Sequence, residues 1–233
     1  MENKNRLLAI LFAAVAAISF SGFYHSYFAL FPNLGRFYFV THIHLFLFVC
    51  WFALVIAQPI LIRKRKMVLH RRLGRISYFL APLLVISIFV LVWNSVPKNY
   101  ALSPEQAGII AIGGVLDAIL FSVCYVIAMV KKKNLRWHVA FIIGATLVVL
   151  NPGLGRLIGY YAGEFGILAM VVTPYLVSLS IVIYEKVKLK RPMLKNPYLL
   201  FALFWTCELA LFIIVPQTDF WKELLQNVVA IQS

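Results

Sequence analysis

Long runs of apolar residues, separated by short polar and basic segments, dominate the chain. Most of the runs approach the roughly 20 residues that a helix needs to cross a hydrocarbon core of about 30 Å. They are continuously apolar rather than alternating, which favours helices over the strands of a membrane barrel. The pattern predicts seven transmembrane helices, at about residues 7–31, 37–62, 76–93, 107–130, 137–158, 165–184 and 198–215.

Composition supports this interpretation. The 233 residues are 63% hydrophobic and 13% charged, whereas about a quarter of the residues in a soluble domain are charged. No polar half suggests a separate soluble domain. We therefore expect an all-α fold, a polytopic membrane helix bundle that forms a single transmembrane domain over residues 1–233.

The basic residues are distributed unevenly between the two sides of this arrangement. The N-terminal tail and the loops after the second, fourth and sixth spans hold eighteen of the 22 Lys and Arg residues. The positive-inside rule then places the N-terminus inside and the C-terminus outside. The net charge of +14 is explained by topology and by contact with the lipid bilayer, with anionic lipids at the basic cytoplasmic loops, and no nucleic-acid partner is expected.

The five histidines lie near the ends of predicted spans. His25, His42 and His44 lie near the outer ends of the first two spans, and His70 and His138 lie on the inner side. His42 and His44 are two residues apart, which separates them by about 200° around a helix axis. One of them is therefore free to pair with His25 while the other faces elsewhere.

Facing histidines from two helices are the axial ligands of a membrane-embedded haem b. An inner pair of His70 and His138 would be flanked by Arg71, Arg75 and Arg136, which could neutralise the haem propionates. The outer trio of His25, His42 and His44 alternatively has the ligand number of a Zn, Cu or Fe site with an open position. Hydrogen bonds from these histidines to backbone or lipid phosphate are the simpler alternative.

Two acidic residues lie near the middle of predicted spans, Asp117 in the fourth and Glu208 in the seventh. Ionisable groups at membrane depth are costly and favour a proton or cation pathway. The alternative is a neutral or paired carboxyl with a structural role. Glycines at 155, 159 and 163 also predict a close helix contact at the outer end of the fifth span.

A resemblance rests on the segment HRRLGR at residues 70–75, preceded by HIH at 42–44 and followed by RWH at 136–138. Over roughly residues 40–160 the chain resembles an uncharacterised family of bacterial multi-pass inner-membrane proteins with an HRxxGR signature. This resemblance implies that the protein is located in the bacterial cytoplasmic membrane. It implies no particular activity. The histidine placement is more distantly similar to that of membrane b-type cytochromes and transmembrane ferric reductases.

The first functional hypothesis is a protein that binds haem or a metal for redox chemistry or metallocofactor handling, as a component of a membrane oxidoreductase. The second is a non-redox transporter or channel that uses Asp117 and Glu208. The third is a membrane assembly factor without a site of its own. A membrane protein partner and a homo-oligomer both remain open.

Overall fold

The computed structural model describes residues 2–232, without the side chains of residues 2–4 and of Arg36. The terminal residues of the predicted domain, Met1 and Ser233, lie outside this description. The described chain is all-α and contains no strand. Its α-helices are Glu2–Gly22 (α1), Phe39–Arg63 (α2), Met67–Leu102 (α3), Pro104–Val130 (α4), Leu135–Ala162 (α5), Phe165–Leu189 (α6), Pro197–Ile214 (α7) and Asp219–Gln232 (α8).

The helices confirm the predicted number of membrane spans. Within residues 2–232, α1 to α7 are long and apolar enough to cross a membrane, α7 together with a following turn of 3-10 helix at Val215–Gln217. Two of these helices begin with a side-chain cap, α4 at Ser103 and α7 at Asn196. The Ser103 side chain accepts a hydrogen bond from the Gln106 backbone N–H, and Asn196 accepts one from Tyr198. These caps satisfy donors that the first turn of a helix leaves without intrahelical partners.

The largest differences from the prediction are a shorter first helix, a longer third helix and an additional eighth helix. The first helix ends at Gly22, and the aromatic residues that follow form turns and short 3-10 helices before α2. The third helix begins at Met67, so the HRRLGR segment is helical; Arg65 adopts a left-handed conformation, with a φ of 58°, in the tight turn before it. The eighth helix was not predicted, because its apolar residues occupy one face and do not form a membrane-length run.

The chain groups into two compact units. Unit 1 comprises Met1–Leu84 and Val149–Met170, and unit 2 comprises Val85–Val148 and Val171–Ser233. Helices α3, α5 and α6 contribute to both units.

In unit 1, α1 packs along α2 and also against the second half of α5. The second of these contacts is between backbones, because a Cβ atom on Gly22 would lie 1.8 Å from the carbonyl oxygen of Gly153. A second close approach confirms the predicted glycine contact in part. A Cβ atom on Gly166 would lie 2.5 Å from the Gly155 oxygen and 2.8 Å from the Gly159 nitrogen. Small residues allow this proximity in membrane helix bundles.

In unit 2, α4 packs against α7, and α8 covers the beginning of α4. Trp221 and Leu225 of α8 are buried in an apolar cluster with Val96, Ala111, Ile112 and Leu116. The Trp221 indole N–H donates to the carbonyl oxygen of Gly108 at 3.2 Å. The bond satisfies the polar atom of a buried Trp, so α8 is an integral part of unit 2.

Candidate functional site

The three outer histidines all lie in unit 1, and each contacts a different neighbour. His25, in the turn after α1, stacks on Tyr160 with ring centroids 3.7 Å apart and an angle of 8° between the rings. His42 on α2 is hydrogen-bonded through Nδ1 to the Tyr27 hydroxyl. His44 packs against Phe48 at a centroid distance of 5.7 Å. The predicted separation of His42 and His44 around the helix agrees with these different contacts.

The two inner histidines lie in different units, His70 in unit 1 and His138 in unit 2. His138 Nδ1 lies 2.8 Å from the carbonyl oxygen of Ala128. Because a carbonyl only accepts, Nδ1 must carry the proton, and Nε2 of the neutral ring keeps its lone pair. This tautomer suits ligation of a metal or haem through Nε2.

The Gln58 amide sets the opposite tautomer at His70. When its oxygen accepts from the Gly74 N–H at 3.2 Å, its nitrogen donates to the His70 carbonyl at 3.3 Å and to His70 Nδ1. Nε2 of the neutral ring then carries the proton and offers no lone pair to a metal. These bonds also give the HRxxGR spacing a structural role. His70 and Gly74 lie one turn apart on α3, and both bind Gln58 of α2.

The arginines predicted to flank the inner haem have different environments. Arg71 and Arg75 are exposed on α3 in unit 1. Arg136, in unit 2, is bound to a carboxylate, Glu185. Within the described part of the chain, no three His, Cys, Asp or Glu side chains form a group that could hold a metal ion.

Haem or metal binding stays a prediction, and the visible absorption spectrum of the purified protein tests it. Bis-histidine haem is expected to give a Soret band, with split α and β bands on reduction, and a His138→Ala variant should lose them. Elemental analysis of the same sample tests the metal site of His25, His42 and His44. Absence of the bands and of stoichiometric metal from protein purified from a haem-sufficient host would contradict both.

The two intramembrane carboxyls, predicted separately, meet in unit 2. Asp117 lies midway along α4 and Glu208 lies on the adjacent α7, and their carboxyl side chains lie close enough to interact directly. Glu208 is 9% exposed, and its Oε2 atom has no hydrogen-bond partner among the described residues. The thiol of Cys124, which is fully buried, lies two turns from Asp117 on α4 and close to Glu208.

The chemistry of this pair follows from the proximity of two carboxyls. Two ionised carboxylates have only acceptor atoms, so a hydrogen bond between them requires a proton on one of the two. Ionising both would place two negative charges side by side in an apolar environment, which is strongly unfavourable. The arrangement therefore favours a pair of carboxyls that holds at least one proton.

A second carboxylate in unit 2 has an entirely different environment. Glu185, near the end of α6, accepts hydrogen bonds from Arg136 at 3.1 and 3.2 Å. It also accepts from Arg191 at 2.6 Å and from the Asn196 amide at 3.0 Å. Asn196 in turn caps α7 through Tyr198, so one carboxylate connects α5, α6 and the start of α7. Glu185 was not among the predicted site residues, and its signal in the sequence is a lone acidic residue within a basic segment.

The chain was also compared with known proteins. No protein-family model, no curated protein and no solved structure matches it.

Proposed function

We propose that the protein is a multi-pass membrane proton transporter in which the Asp117–Glu208 pair binds protons from one side of the membrane and releases them to the other. The observation that supports this function is the close approach of two carboxyl side chains on adjacent spans. Carboxyls inside membrane spans commonly belong to proton relays or ion pathways, because an unpaired charge there is costly.

The energetics of the pair suit reversible protonation. Repulsion between two negative charges favours retention of one proton, and the second carboxyl lies close enough to receive it or pass it on. Glu208 Oε2 adds an acceptor with no other partner in the described chain. A proton arriving from one side would be held by the pair until a change in α4–α7 packing exposes it to the other. Sodium or another monovalent cation replacing the proton is the closest variant of this mechanism.

Redox chemistry is the alternative function, and the absorption spectrum tests it. His42 and His70 are hydrogen-bonded through Nδ1 to other side chains, whereas the Nδ1 bond of His138 leaves its Nε2 able to act as a ligand. A structural role of the carboxyl pair is a second alternative, because polar side chains also join membrane helices by hydrogen bonds. The flux measurement below distinguishes this role from proton transfer.

We further propose that the protein lies in the bacterial cytoplasmic membrane with its N-terminus inside. The support is the concentration of Lys and Arg in segments that seven spans would place on one side. In this orientation Asp117 and Glu208 lie near the middle of the bilayer, at similar depth in two spans. Protons would therefore have to reach the pair from either face.

Proton flux into liposomes containing the purified protein tests the carboxyl pair. With a potassium diffusion potential as the driving force and a pH-sensitive dye inside, the unmodified protein is expected to acidify the lumen. Asp117→Asn and Glu208→Gln should each reduce the flux to the level of protein-free liposomes, since an amide keeps the shape of the carboxyl but cannot exchange a proton. Glu105→Gln is the matched control, because this exposed carboxyl lies at the start of the same helix α4.

Infrared difference spectroscopy gives a second measurement that does not depend on reconstitution into liposomes. On a pH step, the unmodified protein should show the carbonyl stretch of a protonated buried carboxyl, and both pair variants should lose or shift it. Flux that survives in the folded double variant Asp117→Asn/Glu208→Gln, together with an unchanged carbonyl band, would contradict the proposal.

A further inference from the structure

A groove of about 580 Å³ runs along unit 2 between α6 and α7, beside the first turn of α5. From Asn196 to Thr206 it extends roughly 15 Å along α7, at a helix rise of about 1.5 Å per residue. Its wall is almost entirely apolar, and the volume is in the range of small-molecule sites. It is lined by Trp137, Tyr175, Leu179, Leu194, Lys195, Asn196, Leu199, Leu200, Ala202, Leu203 and Thr206.

One end of this groove is strongly cationic. Lys195 lines it directly, and Arg136 donates to the Lys195 carbonyl at 3.4 Å. The Lys131 ammonium lies 5.7 Å from the ring centroid of Trp137, which also lines the groove. With Arg191, this end carries four cations, of which Arg136 and Arg191 pair with one carboxylate, that of Glu185. The surplus of positive charge lies where the spans α5, α6 and α7 meet the basic segments.

The opposite end is closed by a pair of hydroxyls that satisfy each other. The Thr206 hydroxyl donates to the Ala202 carbonyl at 2.9 Å, so Tyr175 must donate to Thr206, at 2.8 Å. No charge lies among the lining residues between this pair and Lys195. The groove is therefore amphipathic along its length, cationic at the membrane-surface end and apolar inside the span.

We propose that this groove binds an anionic phospholipid, with one acyl chain along α6 and α7 and the phosphate against Lys195 and Lys131. The length and apolar lining of the groove suit an acyl chain, and its cationic end suits a negative head group. The glycerol region would lie between them. Trp137 lies at the junction, the position that Trp residues favour at membrane surfaces. A soluble anion would bind only at the cationic end of the groove. A zwitterionic lipid has no net negative charge to pair with the cations there.

Native mass spectrometry of the delipidated protein tests this site. The protein in neutral detergent is titrated with phosphatidylglycerol or with phosphatidylcholine of the same acyl chains, and bound lipids are counted. The unmodified protein is expected to retain phosphatidylglycerol about tenfold more strongly, since each surface cation contributes measurably to anionic-lipid binding. Lys131→Gln/Lys195→Gln should abolish this preference, and Leu203→Trp should reduce retention of both lipids by filling the groove.

Controls separate the site from general charge attraction. Lys64→Gln/Lys66→Gln removes the same charge from exposed residues of unit 1 and should leave the preference unchanged. Equal loss in this control, no preference in the unmodified protein, or full competition by soluble glycerol phosphate would overturn the proposal. So would a change of oligomeric state in Leu203→Trp with unchanged lipid retention, because the groove would then be a subunit interface.

Discussion

A Gly22→Ala substitution is expected to lower the free energy of unfolding of unit 1 by about 3 kcal/mol, the upper end of the usual cost of overpacking. The added Cβ atom would lie 1.8 Å from the Gly153 carbonyl oxygen and 2.8 Å from its Cα. Both are backbone atoms of α5, so no side-chain rotation relieves the collision. Helices α1 and α5 would have to separate, and the contacts of neighbouring residues along them would weaken.

The measurement is an SDS titration of the purified protein from mixed micelles, followed by circular dichroism. Gly159→Ala is the matched control on α5, because a Cβ atom there has no neighbour within 4 Å. In a helix interior, this control should be neutral or favourable by up to about 1 kcal/mol. Gly153→Ala should reproduce the defect from the other helix, since its Cβ atom would lie 2.6 Å from Ser19 Cα. Equal stability of Gly22→Ala and Gly159→Ala would contradict the close backbone contact.

A Glu185→Leu substitution is expected to destabilise unit 2 by about 3 kcal/mol, because it removes the common partner of two arginines and an asparagine. The Glu185 side chain is 8% exposed, whereas those of Arg136 and Arg191 are 24% and 42% exposed. The arginines therefore regain some hydration, which keeps the expected loss at the lower end of the range for a broken buried pair. The loss of the Asn196 contact should also weaken the cap of α7.

Thermal unfolding in detergent, with protease resistance of the segment between α6 and α7 as a local probe, measures this effect. Asp219→Asn is a control in the same unit, because the Asp219–Lys222 pair is exposed and its atoms lie 3.5 Å apart. That control should cost less than about 1 kcal/mol. Glu185→Gln should lie between the two, since the amide keeps the shape and some hydrogen bonds. A loss in Glu185→Leu no larger than that in Asp219→Asn would show that the cluster contributes little to stability.

The apolar runs predicted the seven spans because a bilayer demands long helices with few charges. The same criterion could not locate helix ends. Apolar turns after Gly22 resemble helix in composition, while the basic HRRLGR segment is helical although its charge placed it outside the span. The eighth helix was not predicted, because averaging the hydropathy of its apolar and polar faces hides the amphipathic pattern.

The residues of the candidate site could be predicted from the sequence, but the contact between their side chains could not. Asp117 and Glu208 were each evident as charges in apolar runs, yet they are distant in sequence, and only helix packing brings them together. For the histidines, the sequence suggested partners, but not the ones that they contact. Their positions near span ends suggested histidine pairs, whereas His42 contacts Tyr27 and His70 contacts Gln58. Neither neighbour carries a sequence signal for such a contact.

Helix α8 affects how the membrane orientation of this protein can be measured. Reporter enzymes are often joined to truncated chains, but a fusion point before Asp219 would remove Trp221 and Leu225 from the cluster around Val96 and Ile112. It would also leave the Gly108 carbonyl without its indole donor and the Trp93 carbonyl without the Gln232 amide. A truncated fusion could therefore report the topology of a misassembled chain. Reporters should follow the complete α8, and the loops should be mapped with single cysteines in the full-length protein.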